Sequence, residues 1–244
     1  MYRFAVIPAR WASTRFPGKP LAKLNGKPMV EHVYRRAEET RCFDSIAVAT
    51  DEPRVIEAVQ AFGGQAILTS RECASGTDRA AEVVRTLSHV DVVVNLQGDE
   101  PAVPPEALRA LALAFDDPKV QLCTLVRELG EGERQNPNVV KAVLDESGHA
   151  LYFSRADVPF ERAPSAAPRW AHVGLYGYRR EVLLRLAALP PTALEQAEGL
   201  EQLRALGHGV RITCLRTAHR TRGVDVPGDV PDAEAALRAL PRGG

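Results

Sequence analysis

Three short segments gather the residues whose types and spacing fit chemistry. The first, Pro8-Ala9-Arg10-Trp11-Ala12-Ser13-Thr14-Arg15-Phe16-Pro17-Gly18-Lys19-Pro20-Leu21, sets Arg10, Arg15 and Lys19 among small and turn-forming residues. Small residues let backbone N–H groups approach phosphate oxygens, and the cations suit a polyphosphate both when bound and when leaving as pyrophosphate. This is not a Walker loop. Gly18-Lys19 is followed by Pro rather than Ser or Thr, no glycine stands five residues before Gly18, and the chain has no dinucleotide-type G-x-G-x-x-G. The bland alternative is a solvated turn decorated with Arg and Lys.

The second segment, Asn95-Leu96-Gln97-Gly98-Asp99-Glu100-Pro101, places a carboxylate after a glycine that lets the backbone turn. Asp99 is thereby a candidate hard-oxygen ligand for Mg²⁺, which takes one or two carboxylates and completes its shell with phosphate and water. Read as plain structure it is an Asx turn, or a cap for a helix over 104–115. The third, Gly223-Val224-Asp225-Val226-Pro227-Gly228-Asp229, reads as a turn with Asp229 as a cap-type residue before the last helix. Asp225, earlier in the segment and flanked by valines, reads as a side chain pointing out of a short extended piece, and no spacing ties it to Asp99.

Elements must position these segments. Short β-branched runs over 4–7, 46–49 and 90–96 are too brief and too continuously apolar for amphipathic helices, and read as buried parallel strands. Helical patterns lie between them over 30–38, 53–62 and 78–87, the second with Pro in its first turn and the third introduced by Ser75-Gly76-Thr77. The βαβα alternation predicts an α/β fold, a mostly parallel sheet flanked by helices on both faces. Ligands of such sheets sit beyond the carboxyl ends of the strands, which is where Arg10, Asp51, Gln97 and Asp99 fall. The second half, with strands over 139–144, 172–178 and 211–215 and helices over 181–186, 194–206 and 232–240, lacks the βαβ rhythm. It reads as a lobed continuation of one domain spanning 1–244, with a weak linker candidate over 161–168.

Bulk properties exclude several classes. Thirty-one basic residues balance thirty-one acidic ones, so no global field attracts a nucleic acid or an anionic membrane. The four cysteines are scattered singly, without the spacing of a zinc site or the density of a disulfide scaffold, which suits a reducing cytoplasm. No stretch approaches the ~18 continuous apolar residues of a membrane span.

These segments, in this order, resemble the 3-deoxy-manno-octulosonate (Kdo) cytidylyltransferases, or CMP-Kdo synthetases. The resemblance runs through Ile7-Pro8-Ala9-Arg10, Pro17-Gly18-Lys19-Pro20-Leu21, Val48-Ala49-Thr50-Asp51, Ser75-Gly76-Thr77-Asp78-Arg79 and Gln97-Gly98-Asp99-Glu100-Pro101. It continues in Asn136-Pro137-Asn138-Val139-Val140-Lys141, Phe153-Ser154-Arg155, His172-Val173-Gly174-Leu175-Tyr176-Gly177-Tyr178, Leu200-Glu201-Gln202-Leu203-Arg204 and Gly223-Val224-Asp225.

The resemblance implies a Rossmann-like nucleotidyltransferase fold, usually dimeric, that makes CMP-Kdo and pyrophosphate from CTP and Kdo for lipopolysaccharide biosynthesis. It implies triphosphate contacts at Arg10, Arg15 and Lys19, base and ribose contacts at Ala9, Ser75, Arg79 and Gln97, and Mg²⁺ on Asp99 and Asp225, with Lys19 and both aspartates catalytic. The acidic 2-keto sugar would meet Arg155, His172, Tyr176, Glu201 and Gln202. From its own spacing, His172 reads only as a hydrogen-bonding residue and not as part of a triad or a zinc site. Two departures are a short segment over 161–170 and Arg222 in place of a small residue. Alternatives are CMP transfer to 8-amino-Kdo or a sialic-type acid, a UDP- or dTDP-sugar pyrophosphorylase, and a nucleotide-binding regulatory module without turnover.

Overall fold

Alternation of side chains along the first strand sets the layering. In a computed structural model that describes residues 1–163, 167–220 and 223–240, β1 (Arg3–Pro8) sends Phe4 and Val6 to one face of the sheet and Ala5 and Ile7 to the other. All four are buried, so the strand has a core on each side, as its continuous apolar run requires.

After β1 come a small hairpin, β2 (Lys23–Leu24) and β3 (Lys27–Pro28), then α1 (Met29–Glu39), β4 (Ser45–Thr50), α2 (Pro53–Ala61), β5 (Ala66–Leu68), α3 (Gly76–Arg85) and β6 (Val92–Asn95). The second half holds α4 (Pro105–Leu113), β7 (Leu122–Glu128), β8 (Lys141–Leu144), β9 (Ala150–Ser154), β10 (Trp170–Arg179), α5 (Arg180–Ala188), α6 (Ala193–Glu198), α7 (Gln202–Gly207), β11 (Thr213–Arg216) and α8 (Val230–Ala239). The main sheet runs β11-β7-β10-β6-β1-β4-β5, with β8 and β9 attached beside β10. Along that path only β10 is antiparallel to its neighbours. One face is covered by α1, α2 and α4, the other by α3, α5 and α7.

Topology puts the site where two halves diverge. From β1 the chain moves outward through β4 and β5, then returns through α3 to β6 on the other side of β1. The carboxyl ends of β1 and β6 therefore lie side by side at a topological switch point, the usual crevice for a ligand in an open α/β sheet. A third, smaller core of Leu24, Met29, Val224 and Ala233 packs α8 and the segment before it against the hairpin.

The three early strands and helices fall where the sequence puts them, within two residues at most ends. The pattern over 194–206 is broken, however. Gly199 adopts φ +62°, a left-handed conformation that ends α6 and offsets α7. The 161–168 stretch joins β9 to β10 within one sheet rather than bounding two units. Residues 164–166 of that stretch, and Arg222, lie outside the described residues.

Candidate active site

A cleft of about 520 Å³ opens at the switch point. Ala9, Arg10, Arg15 and Lys19 line it from the loop after β1, Gln97 and Asp99 from the loop after β6, and Ser75 and Arg79 from the start of α3. Asp225 completes it from beside α8. All the residues expected to touch nucleotide or metal thus face one space.

Close backbone approach makes this possible. A Cβ on Gly98 would stand 2.5 Å from the Pro8 carbonyl oxygen, so only glycine lets the two strand ends meet. Gly18, at φ +70°, turns the first loop against Trp11, where a Cβ would come within 2.9 Å of the indole. The start of α3 lines the cleft at Ser75 and Gly76 and is closed by a capping box in which Ser75 Oγ accepts from Asp78 N at 3.1 Å and Asp78 Oδ2 accepts from Ser75 N at 3.1 Å.

The acidic pair comes together through the backbone. Val224 is fully buried in the small core and its N–H donates to Asp99 O at 2.9 Å, which fixes Asp225 across from Asp99. Asp229 caps this segment rather than α8: its Oδ2 accepts from Asp225 N at 2.8 Å and Val226 N at 2.9 Å. Lys19 Nζ lies 2.6 Å from Asp99 Oδ2 and 3.7 Å from Asp225 Oδ1, and Arg15 bonds Asp225 Oδ1 at 3.0 Å. Oxygens of both carboxylates therefore already converge on a cation. Two carboxylates, with no third acidic, His or Cys partner among the described residues, are the sparse, hard-oxygen donor set that Mg²⁺ accepts when phosphate supplies the rest. Glu100, next in sequence, is buried; that burial, reinforced by the charge of Asp99, pushes its carboxyl up to about 8.

Arg79 is 3 % exposed, held by Thr69 Oγ1, by Ser70 O at 3.2 Å and by Asp51 at 3.9 Å. Its guanidinium is thus fixed before any ligand arrives. Asp51 also accepts from Trp11 N at 3.2 Å, tying the first loop to the end of β4.

The residues expected at the sugar stand outside this cleft lining but connect to it. Ser75 Oγ donates to Glu201 Oε1 at 3.0 Å, and Glu201, Gln202 and Tyr176 line a small void of about 30 Å³. Burial raises the pKa of Glu201 and of Tyr176. The His172 ring lies 5.4 Å from that of Tyr176, and burial pushes its imidazole down to about 3, which leaves it neutral. Arg155 is set apart from the rings, donating to Glu198 O at 2.8 Å, Pro137 O at 3.0 Å and Gly199 O at 3.4 Å. Its link to Glu201 runs through the α6–α7 break.

Comparison with known proteins now bears on this geometry. The cytidylyltransferase family profile matches residues 4–212. A 3-deoxy-manno-octulosonate cytidylyltransferase from Myxococcus xanthus (strain DK1622) is 57% identical over 241 residues, covering 98% of this chain and 97% of that protein. This chain belongs to the 3-deoxy-manno-octulosonate cytidylyltransferase family. Another member, from Anaeromyxobacter dehalogenans (strain 2CP-C), is 50% identical over 96% of the chain and 97% of its own length. Among solved structures, a CMP:2-keto-3-deoxy-manno-octonic acid synthetase complexed with CTP superposes with a TM-score of 0.93 at 43% identity, covering 98% of this chain and 99% of that one. The family's nucleotidyltransferase fold extends to a putative glucose-1-phosphate thymidylyltransferase from Bacillus anthracis, with a TM-score of 0.68 at 16% identity over 99% of this chain and 98% of that one, which is likeness of fold alone.

Sequence reasoning missed some of the lining. Cys73 and Ala74 face the cleft unmarked by anything but their neighbours in the chain, and Ser13 and Thr14 face it from the first segment, where no role had been given them. Thr124, fully buried behind the sugar-side residues, carried no signal, and Lys141 stood in a resembling motif without a role, because their partners come from other strands and loops.

Proposed function

We propose that the chain transfers the cytidylyl group of CTP to Kdo, releasing pyrophosphate. The convergence of Lys19, Asp99 and Asp225 in one cleft beside Arg10, Arg15 and the N-terminus of α3 carries the reading. The family's 57% identical member, and a 43% identical synthetase bound to CTP, supply the nucleotide and the sugar.

In this reading Arg10, Arg15 and Lys19 hold the triphosphate and neutralise the charge that builds on the departing pyrophosphate. Ala9, Ser75, Arg79 and Gln97 hold base and ribose, with Arg79 rigid enough to select rather than adapt. Arg155, His172, Tyr176, Glu201 and Gln202 orient the sugar so that its C2 hydroxyl faces the α-phosphorus in line with the leaving group. The hydroxyl oxygen bonds to phosphorus as the bond to the bridging oxygen breaks, pyrophosphate leaves with that oxygen, and the hydroxyl proton passes to solvent water; no covalent enzyme intermediate is needed. Asp99 and Asp225 would hold Mg²⁺, whose chemistry when bound is to lower the hydroxyl pKa and to neutralise phosphate oxygens. The same reading extends to a homodimer in the cytoplasm that supplies lipopolysaccharide synthesis.

Asp225→Asn tests it by removing one of the paired charges at an exposed position. Loss of about 4 kcal/mol of transition-state stabilisation, roughly a thousandfold in turnover, is expected. Near-native turnover would remove the two-carboxylate site.

A further inference from the structure

The antiparallel strand β10 carries two more residues than its partner. It pairs with β7 from Trp170↔Glu128 to Val173↔Leu125 and resumes at Tyr176↔Thr124, leaving Gly174 and Leu175 outside the ladder. Such a bulge re-aims backbone and side chains beside a site. Here the Gly174 carbonyl accepts from Gln97 Nε2 at 3.0 Å, next to the cleft. The hydroxyl of Thr124, a residue with no exposure, fills the inside of the bulge: Oγ1 lies 2.8 Å from Leu175 O, 3.2 Å from Val173 O and 2.9 Å from His172 Nε2. The imidazole is set between Phe153, edge-on at 5.0 Å, and Tyr176.

A proton count assigns the tautomer. A threonine hydroxyl has one hydrogen, and a carbonyl oxygen can only accept. If that hydrogen went to His172, both carbonyl oxygens would face bare lone pairs on Oγ1. If it goes to Leu175 O, the nearer of the two, then Oγ1 is free to accept, and Nε2 must carry a hydrogen. No hydrogen bond to Nδ1 forms among the described residues, and His172 is mostly but not wholly buried.

We infer that Thr124 is a positioning residue that holds His172 as the neutral Nε2–H tautomer, so that the nitrogen offered to the sugar is the acceptor Nδ1. The inference rests on the placement of His172 at the sugar. A cationic imidazole would pair with the sugar's carboxylate; an acceptor nitrogen selects one of its hydroxyls instead. Burial, which holds the ring neutral, agrees.

The test is a long-range ¹H–¹⁵N correlation spectrum of the labelled enzyme at neutral pH, with His172 assigned by its loss in His172→Asn. A pyrrole-type Nε2 and a pyridine-type Nδ1 are expected. In Thr124→Val the two tautomers mix, and KM for Kdo rises about tenfold, the size of one net hydrogen bond, while KM for CTP stays unchanged. Thr124→Ser, which keeps the hydroxyl, restores both readouts. A protonated Nδ1 in the parent enzyme overturns the inference, as does a folded Thr124→Val with unaltered tautomer and unaltered KM. If Thr124→Val does not fold, the parent spectrum decides. Failure of the Kdo reading is distinct: turnover is absent while the Nε2–H signature stands.

Discussion

Gly98→Ala probes the contact on which the site is built. The added Cβ would lie 2.5 Å from Pro8 O, a backbone atom that cannot rotate away. A carbon and a carbonyl oxygen ordinarily approach to ~3.3 Å, so the ends of β1 and β6 must part by about 0.8 Å. That displacement separates Arg10, Arg15 and Lys19 from Gln97 and Asp99, which face one another across the cleft. Misplacement by about 1 Å at a reacting centre costs about a hundredfold in rate, and overpacking costs ~1–3 kcal/mol of stability. The expected outcome is a kcat/KM for CTP about a hundredfold lower, with a thermal midpoint lowered by roughly 2–12 °C. Gly132→Ala is the control, because its Cβ would meet nothing within 4 Å. Steady-state kinetics and calorimetry read both. Gly98→Ala with kinetics and melting like those of Gly132→Ala would refute the claim that close approach of the two strand ends sets the site.

Other consequences follow from buried groups. Lys141 is wholly buried and donates to Asn136 O at 2.8 Å and Arg155 O at 2.9 Å, so Lys141→Met should cost ~1–3 kcal/mol, read by denaturant unfolding, and raise KM for the sugar more than for CTP. Glu133, bonded through both oxygens to Arg127, is held at about 2; its folded pKa is depressed, so its contribution is full above the unfolded value near 4.5 and lost as pH falls toward 2. The stability gap between the parent and Glu133→Gln should therefore close across that window in pH-dependent melting. His219 is lowered to about 4 by burial and then by Arg127, so the stability it gives is complete above pH ~6.5 and lost between there and 4. His219→Gln should flatten the acid limb of the melting profile in that interval.

The part of the cleft built from the loops after β1 and β6 was legible because those loops follow buried strands, where topology decides their place. The βαβ pattern and the rule of strand ends place Arg10, Gln97 and Asp99 at the cleft, and the loop's run of cations adds Lys19, while Ser75 and Arg79 came from the resemblance. Asp225 was legible as a carboxylate but not as a partner, since its position depends on Val224 entering a core shared with Leu24 and Met29, distant in sequence. The Asn25-Gly26 turn between β2 and β3, with φ of 46° and 82°, was a readable hairpin signal that the strands' two-residue length concealed. On the sugar side, Gly199 could have marked the end of α6. No local pattern marks Thr124, whose function is created by a bulge in the neighbouring strand. The resemblance to a family, rather than any spacing, drew Arg155, His172 and Glu201 together.

The central claim is the pairing of CTP with Kdo, and pyrophosphate release measures it most directly. The enzyme would be given Mg²⁺ and each of the four nucleoside triphosphates, with Kdo, 8-amino-Kdo, a sialic acid or a sugar 1-phosphate as acceptor. The account predicts release with CTP and Kdo, dependent on Mg²⁺ and on both aspartates. Release with UTP or dTTP and a sugar 1-phosphate, and none with CTP and Kdo, would contradict it.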